Sequence, residues 1–233
     1  MTTAGPPGIG VLRERHLHAS LKRWYAQPGD LGEVPVDGYV IDLVRGDLLI
    51  EVQTRGFAGM KPKVKALLAQ GHRLRVVHPI AVDRWIVNVE PGGTVLRRRL
   101  SPRHGGLADI ASELITFPEL LSQPNFEVEV LLTAEEEYRH LVPGKCWRRK
   151  GWTVIERRLV DVLESVVLAQ PADLVGLVRA DLPVRFTTAE LALAIGRPRR
   201  IGQHLAYCLA KGGVIEGVGK RGHAVEYRFL SSE

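Results

Sequence analysis

Cysteine is scarce in this sequence: 233 residues contain two, Cys146 and Cys208. They lie far apart, and neither has a His or Cys neighbour at zinc-ligand spacing. This excludes a disulfide-stapled scaffold and a zinc ribbon, and it points to reduced thiols and a cytoplasmic location. Long apolar runs are missing as well. No stretch reaches the about 18 apolar residues of a spanning helix, so no membrane partner is expected. The opening MTTAGPPGIG lacks the basic and apolar regions of a secretion signal. No Gly-rich phosphate loop ends in Lys-Ser/Thr, which argues against an NTPase. Ser101 and the other serines show no His/Asp partner pattern, so nucleophilic serine catalysis has no support.

What the sequence does have is base. Lys and Arg number 32 against 26 Asp and Glu, a formal net charge of +6. That balance favours a polyanionic partner. The composition is otherwise that of a globular protein, and a chain this long buries enough surface to need no staples.

Residues 1–9 are small, Gly/Pro-rich and read as disordered. A helix is expected over 10–25, with Val11, Leu17, Leu21 and Trp24 as its apolar face and Pro28-Gly29-Asp30 as its stop. Strands are expected over 38–44 and 48–53, joined by Arg45-Gly46-Asp47. A helix over 61–70 ends at Gly71, and strands over 73–80 and 85–89 follow. This order describes an α/β domain with a mixed sheet flanked by helices, over residues 10–125.

The next segment, 126–182, reads as a helical and mixed linker. It opens with a strand over 126–132. Thr133 then looks like an N-cap, with Glu135, Glu136 and Glu137 in a first helical turn. Residues 154–168 read as an amphipathic helix, and 106–122 and 172–178 as further helices. From 183 to 233 the pattern is sharper. Thr187 and Glu190 form a capping box, Gly196-Arg197-Pro198 a turn, and 200–211 a second helix. Two strands around Gly219–His223 complete helix, turn, helix, hairpin, the winged-helix pattern.

The candidate site lies in DLVRGDLLIEVQT, residues 42–54. Burying ionised groups in apolar strands costs several kcal/mol each unless something pairs with them. Side chains at i and i+2 share a strand face, so Glu51 and Gln53 point the same way. A short hairpin brings Asp42 beside Glu51. Two oxygen ligands with open water positions suit Mg²⁺ or Mn²⁺. On the preceding helix Glu14, His18 and Lys22 are spaced i, i+4, i+8 and lie on one drifting polar face. The plainer alternative is that Asp42 and Glu51 are strand-edge residues paired with Arg45, Arg55 or Lys22.

Tyr39-Val40-Ile41-Asp42 followed by Leu49-Ile50-Glu51-Val52-Gln53 resembles the core of the PD-(D/E)XK nuclease superfamily, with its restriction-endonuclease-like fold. CoiA-type nucleases are similar here: a strand Asp is paired with Glu-x-Gln after a helix carrying His and Lys. The resemblance covers residues 10–90. It implies a divalent metal held by Asp42 and Glu51, an attacking water positioned by Gln53, and help from Glu14, His18 or Lys22. Two departures stand out. The Pro before the Asp is missing, and Gln53 stands where Lys is usual. An amide orients water but neutralises no charge, so Lys22, Lys61 or Lys65 would have to supply it.

Basic residues elsewhere suit phosphate. Arg97, Arg98, Arg99 and Arg103 crowd one stretch, and Lys61, Lys63 and Lys65 follow the candidate site. Arg197, Arg199 and Arg200 open the second C-terminal helix, Gln203 lies on it, and Lys220 and Arg221 form the wing. Lys145–Trp152 mixes charge with two tryptophans, suited to stacking on unpaired bases but also to packing. The expected function is metal-dependent phosphodiester hydrolysis in DNA by an α/β nuclease domain with a winged-helix module. RNA as substrate and a homo-oligomer stay open. The rival is a catalytically silent, DNA-binding regulator, which Gln53 favours.

Overall fold

The computed structural model describes residues 9–144, 146–178 and 180–230, the side chains of 9–15 and of 148 excepted. The expectation of disorder over 1–9 therefore falls almost wholly outside the described residues. So does the side chain of Glu14.

The chain is a mixed α/β fold built on a seven-stranded sheet. Helix α1 spans Ile9–Tyr25 and buries Leu17, Leu21 and Tyr25. Trp24, expected on its apolar face, is 48% exposed. Strand β1, Leu31–Val36, was not anticipated, because Gly32 and Pro35 disguise it. It is an edge strand, where a missing N–H is tolerated. It pairs antiparallel with β2, Tyr39–Arg45, which pairs antiparallel with β3, Leu48–Val52. Gly46, at φ 60, makes the turn between β2 and β3. Strand β4, Arg73–Val89, runs parallel to β3, which makes the sheet mixed. β5, Val95–Leu100, pairs antiparallel with β4. With β6, Phe126–Leu141, and β7, Trp152–Leu168, the order is β1-β2-β3-β4-β6-β7.

Five expectations fail here. Residues 73–89 form one strand through Pro79 rather than two. Thr133 caps no helix, because β6 continues through it. Glu135 and Glu137 alternate into the interior, where Arg84 meets Glu135 while Arg139 and Arg157 meet Glu137. Their charges are neutralised by arginines on β4, β6 and β7 rather than by a helix terminus. Residues 154–168 belong to β7 and not to an amphipathic helix; five valines between 154 and 167 favour a strand. The helix expected over 106–122 shrinks to α3, Ala111–Leu114, between 3-10 turns, and 171–177 is also a 3-10 turn.

The chain divides into two compact units. One holds residues 1–29, 79–105 and 131–165, the other 30–78, 106–130 and 166–233. β4, β6 and β7 each pass from one to the other within a strand. The second unit is centred on a stack of Phe57 and Phe117, centroids 5.4 Å apart, with Phe126 edge-on to Phe117 and His78 edge-on to Phe57. Helix α2, Lys61–Ala69, buries Val64 and Leu67.

The C-terminal elements belong to this unit. They are β8, Phe186–Thr187; α4, Thr188–Ala194; α5, Arg199–Lys211; β9, Ile215–Arg221; and β10, Ala224–Phe229. A small sheet orders them β8-β10-β9. Thr187 Oγ1 accepts from Glu190 N at 3.4 Å, while Glu190 accepts from Thr187 N at 2.7 Å. The capping box is as the sequence indicates. α5 buries Leu205, Ala206, Cys208 and Leu209, and burial pushes the Cys208 thiol up to about 12.

Candidate functional site

The register Leu43↔Ile50, Val44↔Leu49 brings Asp42 opposite Glu51 at the next step along the hairpin. Directly opposed residues project to the same face. Ile41, Leu43, Ile50 and Val52 fill the other face and are buried. At the Asp42–Glu51 step the side chains replace the backbone ladder. Val52 N donates to Asp42 Oδ2 at 2.9 Å, and Asp42 N donates to Glu51 Oε1 at 3.3 Å. Each carboxylate thus satisfies a backbone amide of the neighbouring strand, and the two acidic heads are held side by side.

A cation reaches this pair from α2. Lys63 Nζ lies 2.5 Å from Glu51 Oε1 and donates to Val40 O at 2.6 Å. Burial, and then the charge of Asp42, raise the Glu51 carboxyl above the usual range; the Lys63 bond and charge oppose this without cancelling it. Arg45 donates to Asp30, at 2.8 and 2.9 Å.

The donor set is hard oxygen carrying two formal negative charges, which suits Mg²⁺ or Mn²⁺. Glu51's uneasy ionisation is what a bound cation would relieve. No group of three or more His, Cys, Asp or Glu able to hold a metal occurs among the described residues.

Gln53 ends β3. Its Nε2 donates to Gly56 O at 3.3 Å, and its backbone O lies 2.7 Å from His78 Nδ1. His78 is buried, and burial lowers its basicity. Glu113, not picked out from the sequence, accepts from Phe57 N at 3.0 Å and closes the same corner. His18 and Lys22 stand half-buried on α1 of the first unit.

The other cationic candidates divide by what they touch. Lys61 donates to Thr116 O at 2.6 Å, and Lys65 lies 3.4 Å from Glu119. Lys63, between them in sequence, is the lysine of this helix that meets Glu51. On β5, Arg97 is exposed. Arg98 donates to Glu136 at 2.9 Å and lies 3.8 Å over the Trp85 ring, and Arg99 reaches Leu100 O at 3.5 Å. Arg103 is exposed. Arg197 is tied to Asp109 at 3.0 Å and only 18% exposed. Arg199, Arg200, Gln203 and Lys220 are exposed. Arg221 is held by Glu190 at 2.8 Å and Glu226 at 2.7 Å. Tyr207 is 47% exposed and lines a groove with Arg199, Gln203 and His223.

Fold and site together define a mixed α/β protein with a carboxylate pair and a lysine on one sheet face. Residues 15–169 match the family model described as Domain of unknown function (DUF8091). The match spans more than half of the chain, which belongs to that family. Neither a curated protein nor a solved structure matches it. No helix among the described residues is long and apolar enough to cross a membrane.

Proposed function

We propose that this protein is a metal-dependent nuclease acting on DNA, with a restriction-endonuclease-like core and a C-terminal winged helix. The observation that carries this reading is the trio of Asp42, Glu51 and Lys63. Two carboxylates face the same way across a hairpin step, with an ammonium 2.5 Å from one of them. Asp42 and Glu51 would hold Mg²⁺ or Mn²⁺. A bound divalent ion supplies Lewis acidity and a water of lowered pKa. Lys63 provides the positive charge that Gln53 lacks, beside the place where a phosphodiester gathers negative charge. Gln53 accepts or donates one hydrogen bond to orient water once its amide leaves Gly56 O. Arg199, Arg200, Gln203 and Lys220 offer the exposed polar and cationic surface for a phosphate backbone.

A second reading has its own support: a silent nuclease fold that binds DNA. Lys63 already neutralises Glu51, and Gln53 is turned to a backbone carbonyl. Plasmid, single-stranded DNA and RNA incubated with Mg²⁺, Mn²⁺ or EDTA separate the two. Metal-dependent cleavage by wild type, lost in Asp42→Ala and Glu51→Ala, supports the enzyme. Salt-sensitive binding with no cleavage in either metal refutes it and leaves the binding protein.

A further inference from the structure

The turn between β6 and β7 carries a feature that the carboxylate site does not use. Trp147 is 82% exposed, at the tip of a hairpin. Arg149 and Lys150 follow it and are exposed as well. A large aromatic this exposed lies outside the buried core.

The backbone presenting it is held firmly. Arg149 N donates to Cys146 O at 2.7 Å, Lys150 N to Trp147 O at 3.1 Å, and Val142 N to Gly151 O at 2.9 Å. Cys146 and Lys150, on either side of the Trp147–Arg149 turn, both adopt left-handed backbone, at φ 51 and 50. Side chains rarely adopt that region without a cost, and Gly144 and Gly151 nearby show where the chain uses glycine instead. Strain of this kind, kept next to an exposed aromatic, marks a segment shaped for a contact.

We propose that this tip is a contact for unpaired nucleic-acid strand: Trp147 stacks on a base while Arg149 and Lys150 take the flanking phosphates. Aromatic stacking beside base is the arrangement that single strands use, since every base offers a π face. The cations make the partner anionic, and the flat ring that precedes them in the turn selects bases over a phosphate surface alone. The inference rests on the reading of the protein as one that handles nucleic acid. It adds that the substrate has a single-stranded portion, a frayed end or a flap.

The test is binding without metal, in EDTA, of the full chain to a 20-nucleotide oligothymidylate, to a blunt duplex of equal length, and to phosphatidylserine vesicles. Fluorescence anisotropy and tryptophan quenching are the readouts. Trp147→Ala weakens oligothymidylate binding about 5- to 150-fold, the range of one stacked base, and abolishes most of the quenching. Trp147→Phe keeps most of the affinity. The Arg149→Ala/Lys150→Ala pair lowers the salt slope by about 1.4, at about 0.7 per phosphate contact. Duplex binding changes less than twofold in Trp147→Ala. Oligothymidylate affinity unchanged in Trp147→Ala overturns the proposal, as does binding to vesicles with none to the oligonucleotide. Circular dichroism establishes that the variants are folded. The nuclease reading is judged separately, by cleavage in Asp42→Ala. A protein that grips single strands through Trp147 and never cuts loses the hydrolase assignment and keeps this one.

Discussion

Removing Lys63 strands a buried carboxylate, and the size of that effect follows from the geometry. Severing a fully buried ion pair costs about 3–5 kcal/mol, because the survivor's charge is left uncompensated. Here the Lys63 and Glu51 side chains keep 19% and 13% of their exposure, and water screens part of the loss. Lys63→Met should therefore cost about 2 kcal/mol of unfolding free energy. Glu51→Gln removes the charge itself and can still accept from Asp42 N, so it should lie within about 1 kcal/mol of wild type. In the double variant nothing charged is stranded. Its cost should be about 1 kcal/mol, short of the sum of the singles, giving a coupling of about 1–2 kcal/mol.

The pH dependence carries the same logic. Burial, first, and the Asp42 charge raise the Glu51 carboxyl above its ordinary value. A raised folded-state value means that the native state holds this proton more tightly than the unfolded chain. The associated stability is fully present below the unfolded value and is lost as pH rises through the folded one. Taking Lys63 away raises the carboxyl further. The cost of Lys63→Met should accordingly be largest at neutral pH and fade as pH drops into the carboxylate range. Urea unfolding in EDTA between pH 4 and 8 measures all four corners of the cycle. A Lys63→Met cost that does not vary with pH, or a double variant equal to the sum of the singles, refutes the assignment of Lys63 as Glu51's partner.

Two other outcomes follow from packing and charge. In Gly202→Ala the new Cβ meets Thr188 O at 2.6 Å and Ala192 Cβ at 2.7 Å; the α4–α5 contact must open, at about 1–3 kcal/mol, seen as a lower Tm. Burial raises the Glu137 carboxyl, but the Arg139 hydrogen bond and the charges of Arg139, Arg157 and Arg84 bring it below its ordinary value. A lowered folded-state value contributes stability above the unfolded value and loses it as pH falls through the folded one. Glu137→Gln should then cost about 2 kcal/mol at pH 7 and flatten the acid limb of the stability–pH curve, measured by urea unfolding.

The hairpin around Asp42 and Glu51 is legible in sequence because its information is local. Alternation of apolar and polar residues fixes which face each side chain takes, and Arg45-Gly46-Asp47 fixes the turn. The C-terminal capping box is local for the same reason. The middle of the chain is not. In residues 133–137 an N-cap followed by three glutamates fits a helix start, and only the arginines on β4 and β7, far away in sequence, make the strand reading stable. In residues 154–168 apolar positions recur often enough to satisfy either period. β1 hides behind its Gly and Pro. These are failures of long-range pairing to show in a short window.

The lysine shows the same boundary. Lys61 and Lys65 are four residues apart and share a helix face, directed to Thr116 O and Glu119. Lys63, two residues from each, is turned about 200° away, onto the Asp42–Glu51 face. Position along the helix therefore selects Lys63, but only once the side of the sheet on which α2 lies is known. If what the site needs is a positive charge on that face, the backbone delivering it is immaterial. Gln53 lies two residues past Glu51, just beyond the end of β3, and a lysine side chain there is long enough to turn back, so Gln53→Lys in a Lys63→Met background should return a cation beside Glu51. That double variant should recover about half of the roughly 2 kcal/mol lost in Lys63→Met, together with any metal-dependent cleavage lost with it. Recovery of neither stability nor cleavage, in a variant whose circular dichroism matches wild type, would mean that Lys63 acts through its bond to Val40 O and the placement of α2, and not through its charge.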